Sequence, residues 1–89
     1  MRIQIVSEDE LKNKLVDKGY WHKITTGQYK TVFEKVDRSK QFKGGKSFYI
    51  SYYDQDLYIC TIHRVTDKRR RVRHEHPKHA IIDGVEYNT

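Results

Sequence analysis

The chain has one cysteine, one proline, one methionine and one tryptophan in 89 residues, and these scarcities exclude a good deal. A lone Cys60 cannot close an internal disulfide, which fits a reducing compartment. Its setting, Leu57-Tyr58-Ile59-Cys60-Thr61-Ile62, is that of a buried structural thiol rather than a nucleophile. No apolar run approaches the roughly 18 residues that a membrane-spanning helix needs. The first residues, Met1-Arg2-Ile3-Gln4-Ile5-Val6, lack the long apolar stretch and small-residue cleavage site of a secretory signal. A cytoplasmic protein without a membrane segment is therefore expected. No internal repeat and no linker divides the sequence, so residues 1–89 read as a single domain.

Apolar residues make up 36% of the chain against 34% charged, so the core must be small. Seven tyrosines and three phenylalanines compensate, because each aromatic buries a large area. Acidic residues are outnumbered, 12 against 18 Lys and Arg, for a net charge of +6. The excess is local. Six Lys and Arg and only Glu75 lie between Lys68 and His79, and the remaining residues are almost neutral. Charge concentrated in this way makes a binding surface.

Regular elements are marked unevenly. Ile3 to Val6 reads as a strand. Ser7-Glu8-Asp9-Glu10 is a capping box, and three acids suit the positive end of the helix that follows. Leu11, Leu15 and Val16 form its apolar stripe, and Gly19 after Lys18 is its C-terminal cap. Tyr20 to Thr25 and Tyr29 to Val36 are rich in aromatic and β-branched residues, with Thr26-Gly27-Gln28 as a turn between them. Both read as strands, although Tyr29, Val32, Phe33 and Val36 also fit a helical stripe. Ser47 to Tyr53 and Leu57 to Val65 form a hairpin across Asp54-Gln55-Asp56. Arg69 to His74 is a further strand, after which Pro77 breaks regular pairing. Asp83-Gly84 carries the type I′ hairpin signature. The expected fold is α+β, with a single N-terminal helix packed on a twisted antiparallel sheet of about four to six strands. Trp21 is expected to anchor the helix to the sheet.

The basic segment points to phosphate. Lys68, Arg69, Arg70, Arg71 and Arg73 are dominated by arginine, whose fork pairs with phosphate oxygens. In a strand, Arg69, Arg71 and Arg73 would share one face. Lys78 extends the patch, and Tyr52, with Tyr49, Tyr53 and Tyr58, offers rings for base stacking. The loop Arg38 to Lys46, containing Lys40, Lys43, Lys46 and Gly44-Gly45, is a second basic patch that matters only if folding brings it beside the first. Nucleic acid, RNA before DNA, is the expected partner, with an acidic protein as the alternative.

His74, His76 and His79 lie inside this charge. No cysteine or second carboxylate completes a standard metal site, and the surrounding charge repels cations, so neither a metal nor a cofactor is expected. Histidine does have the proton affinity needed for both proton transfers of metal-independent RNA cleavage. His74, Glu75, His76 and His79 beside Arg71 and Arg73 contain every chemical type that the reaction uses. Otherwise these histidines serve only as hydrogen-bonding groups on a binding surface. His22 and His63 read as packed or capping residues. Chain length, positive charge and a helix followed by a sheet resemble the general layout of small messenger-RNA-cleaving toxins. That likeness is architectural, with no motif aligned residue by residue. Three readings follow: a nucleic-acid binder, a ribonuclease of the toxin–antitoxin type, and a phage- or plasmid-type inhibitor that binds an acidic host protein.

Overall fold

Ser7 starts the first helix as its sequence requires. Its Oγ accepts the Glu10 amide at 3.1 Å, and the acidic Glu8, Asp9 and Glu10 occupy the first turn. The computed structural model describes residues 2–89. It orders them as β1 (Arg2–Ile5), α1 (Glu8–Asp17), α2 (Tyr20–Thr25), β2 (Lys30–Arg38), β3 (Lys46–Asp54), β4 (Leu57–Thr66), β5 (Val72–Ile82) and β6 (Val85–Asn88). Leu11 and Leu15, one turn apart, are fully buried, whereas Val16 is half exposed. None of the helices is long and apolar enough to cross a membrane.

Two helices form where one is expected. Gly19 adopts φ 79°, a left-handed conformation that only glycine enters freely, and it both ends α1 and reverses the chain into α2. Tyr20 to Thr25 is therefore helical. Its spacing places Tyr20 and Ile24 a turn apart against the core beside Trp21, and Thr25 and Thr26 donate their hydroxyls to the His22 carbonyl at its end. Core packing outweighs the strand preference of the β-branched residues. Trp21 joins that packing, with the Lys12 ammonium 4.9 Å from its ring centre.

The six strands lie in the order β1-β6-β5-β4-β3-β2. Four of the five pairings are antiparallel, but β1 runs parallel to β6, so the sheet is mixed. Tyr29 to Val36 resolves as a buried Tyr29 leading into strand β2, which is exposed along its whole length and bulged between Phe33 and Lys35. The bulge and the edge lysines blunt it against pairing with other chains. The β3–β4 and β5–β6 hairpins form as expected, with Asp83 at φ 52° and Gly84 at φ 76°, the type I′ geometry.

Two expectations for the basic segment change. Residues 67–71 form a turn, and the strand begins only at Val72. The Asp67 carboxylate accepts the amides of Arg69 (2.8 Å) and Arg71 (3.0 Å), and Arg70 takes φ 66°. Pro77 does not end the strand. It lies within β5 at a bulge, where Ile62 faces Pro77 and Thr61 faces His79, leaving Lys78 as the extra residue.

Register then separates two chemistries. Ile50, Tyr52, Cys60, Ile62, Ala80 and Ile82 form one buried cluster with Leu11, Leu15, Ile24 and Tyr29 of the helical layer. Cys60 is fully buried there, and burial pushes its thiol up to about 12. The alternate residues, among them Ser47, Tyr49, Ser51, Thr61, His63, His74, His76 and His79, point to the face opposite that cluster.

Gly45 fixes where one loop meets the sheet. A Cβ there would collide with the Thr66 carbonyl oxygen and press on the Phe42 carbonyl. We expect Gly45→Ala to lower the stability to urea by about 3 kcal/mol. An unchanged urea midpoint would mean that the loop yields.

Candidate nucleic-acid interface

Lys46 opens β3 and Thr66 closes β4, and the two are register partners. That pairing forces the loop before one strand to lie beside the turn after the other. The two basic segments of the sequence therefore meet at one end of the sheet. The Gly44 Cα hydrogen faces the Lys68 side chain, with room for nothing larger. The Arg73 guanidinium lies 5.1 Å over the Phe42 ring, which also sits 5.8 Å from the His74 ring.

Arg38, Lys40, Lys43, Lys46, Lys68, Arg69, Arg70, Arg71 and Arg73 belong to these two segments, against the single carboxylate of Asp67. Asp67 is already committed. Its carboxylate binds Arg71 Nε at 2.9 Å and lies 3.9 Å from Arg73 Nη1. Desolvation alone would raise its proton affinity, but the amides of Arg71 and Arg69 and the Arg71 guanidinium outweigh it and hold it below the ordinary 3.8. It organises the turn without supplying a counter-charge to the rest of the cluster.

The cations divide between connected grooves. Lys43, Lys68, Arg69, Arg71 and Arg73 line one with Phe42. Lys46 and Arg70, beside Phe48, line another. Lys40 belongs to a third, with Lys35, Asp37, Arg38, Ser47, Tyr49 and His63, which runs onto the face opposite the core; there the Asp37 carboxylate lies 3.3 Å from the Lys35 ammonium. Arg69, Arg71 and Arg73 thus share a surface as the strand reading expected, although a turn brings the first two there.

Lys78 and Tyr52 lie elsewhere. Lys78 is the bulge residue of β5, and its ammonium is 2.6 Å from Glu8 at the start of α1. Tyr52 is a correction. It is 4% exposed in the core and its hydroxyl accepts from Arg64 at 3.2 Å, so it has no face to offer a base.

The histidines occupy the face opposite the core cluster. His79 is held on both sides, by the Tyr58 hydroxyl at Nδ1 and Glu86 at Nε2, each 2.7 Å away. Tyr58 continues to Thr61 (2.7 Å) and Thr61 to Ser51 (2.9 Å), a hydrogen-bonded row across the sheet. His63 Nε2 is 2.7 Å from Ser47 Oγ, and its ring stacks on Tyr49 at 4.6 Å and 11°. His63 is the register partner of His76, whose ring lies 6.1 Å from that of His74. Among the described residues, His74 and His76 make no side-chain hydrogen bond. Glu75 is another correction. It alternates to the core side of the sheet, where its carboxylate is bound by Arg64, and it is not beside the histidines. Sequence reasoning missed His63, Ser47, Glu86 and Lys35 as members of this surface.

Burial holds His63 below its ordinary 6.5, with the Lys78 ammonium acting in the same direction and Glu8 against it. A depressed histidine contributes stability while neutral, and that contribution is lost as pH falls through 6.5, where the unfolded chain takes up the proton first. The hydrogen bond from Lys78 lowers Glu8 from an ordinary 4.5, so Glu8 and Asp67 contribute in full until the pH falls to about their ordinary values. We expect the urea midpoint to fall between about pH 7.5 and about pH 5.5, and His63→Gln to flatten that fall. Equal slopes in both proteins would remove His63 as its source. Comparison with family models, curated proteins and solved structures gives no match to this chain.

Proposed function

We propose that the protein binds single-stranded nucleic acid, RNA before DNA, with its phosphates on the basic end of the sheet and its bases directed over the face opposite the core. One observation carries this reading. Segments 38–46 and 67–73, separate in sequence, fuse into one cluster of nine Lys and Arg whose only carboxylate is bound to its own arginines. A surface selected only for solubility has no need to mass arginine forks in one place or to neutralise their sole carboxylate internally. Arg38 and Lys40 carry the cluster into an adjoining groove beside the stacked Tyr49 and His63 rings, where Lys35 is paired with Asp37. Cations along a track with aromatic faces beside it are what sequence-tolerant binding of a single strand uses.

Binding to a labelled single-stranded RNA across a salt titration tests the proposal. Neutralising about four to six phosphates gives a log–log slope of roughly −3 to −4. Lys43→Ala and Arg69→Ala, both exposed and free of side-chain ion pairs among the described residues, are each expected to reduce that slope by about 0.7. A flat slope would sink the proposal and turn the search to an acidic protein partner.

A further inference from the structure

We infer that the face opposite the core is an RNA-cleaving surface that needs no metal, with His63 and His76, register partners across β4 and β5, as its proton-transfer pair. The inference rests on the nucleic-acid reading and specifies what happens to the bound strand.

Among the histidines and carboxylates, geometry narrows the choice to this pair. His79 has both ring nitrogens bonded, to Tyr58 and to Glu86, so it cannot exchange a proton with a ligand while those bonds stand. Glu75 is bound by Arg64 on the other side of the sheet. His63, His74 and His76 remain on this face. His74 pairs with Val65 and lies against the Phe42 ring, whereas His76 is the register partner of His63 and faces the same way from the adjacent strand. The two rings differ in their restraint. His63 is fixed in plane by Tyr49 and at Nε2 by Ser47, and in the tautomer whose Nε2–H donates to Ser47 its Nδ1 carries a free lone pair. Burial and the Lys78 charge keep that ring neutral, the form a base requires. His76 has no hydrogen-bonding partner among the described residues and is free to present a proton. Arg38 and Lys40 line the groove that contains His63 and supply positive charge where a phosphate would gain negative charge, while Lys35 in the same groove is paired with Asp37.

The reaction balances without a further reagent. The ribose 2′-oxygen forms a bond to the neighbouring phosphorus, and its proton passes to His63 Nδ1. The bond from phosphorus to the 5′-oxygen breaks, and that oxygen leaves with a proton from the His76 imidazolium. The products are a 2′,3′-cyclic phosphate and a 5′-hydroxyl, and exchange with water restores both imidazoles.

The test uses the intact protein, a labelled RNA of about 20 nucleotides, long enough to cover the site, and the same sequence made wholly of 2′-deoxynucleotides, with EDTA present. We expect the RNA to be cut to fragments ending in cyclic phosphate, and the deoxy strand to be bound but left whole. His63→Gln and His76→Gln should each slow cleavage by about 100-fold or more, and His76→Gln should leave affinity for the deoxy strand within about two-fold. His22→Gln, exposed on α2, should change neither. His76→Gln decides the matter if His63→Gln unfolds, because the His76 side chain makes no hydrogen bond among the described residues. RNA bound but left intact, or cleavage indifferent to both substitutions, would overturn this inference and leave the binding proposal standing. Failure to bind either strand would remove both.

Discussion

Side-chain direction alternates strictly along a strand, and this sheet depends on the few places where that alternation slips. Between Tyr52 and Tyr53 the β3–β4 register shifts by one residue. Without that shift Tyr49 would face Ile62, and the Ile50–Ile62 core pair could not form. The bulge at Lys78 does the same for β5. In an unbroken strand the odd-numbered His79 would take the side opposite the even-numbered His74 and His76. The extra residue brings all three onto one face and leaves Pro77 and Ala80 on the other. Apolar and imidazole side chains are thus sorted to opposite faces by backbone irregularities.

This explains which parts of the fold are legible in the sequence. Elements specified by local chemistry come through: the Ser7 cap, the Gly19 terminus, the Asp83-Gly84 turn and the β3–β4 hairpin each carry their cause within a few residues. Tyr20 to Thr25 does not, because its local preference is for strand and its helix is stabilised by contacts with residues far along the chain. The parallel pairing of β1 with β6 has no local signal either. Pro77 is visible as a disturbance to pairing, but its consequence here is a bulge inside a continuous strand rather than a strand end.

The candidate site divides along the same line. Its charge is legible, because a run of arginines remains positive in any conformation. The merger of the Lys40 to Lys46 loop with that run depends on the Lys46–Thr66 register, which only the assembled hairpin supplies. Side-chain partners are the least legible. Tyr52 and Glu75 have the right chemistry for the surface, yet alternation takes them to the core side, while it takes His63, in the middle of an apolar strand, to the open face. The resulting surface sets a turn held together by its own acid beside an open lattice of rings and hydroxyls.

The pairing of β1 with β6 also sets an order of assembly. The hairpins β2–β3, β3–β4 and β4–β5 join neighbours in sequence, and each can form from residues close together in the chain. β1 has no strand beside it except β6, from which nearly the whole described sequence separates it. Leu11 and Leu15 likewise pack in the cluster that includes Ala80 and Ile82 of late β5. The earliest of the described strands in chain order is therefore among the last to find its place. Until β6 follows, the β2–β5 meander stands with the apolar side of its sheet uncovered and its basic turn already formed.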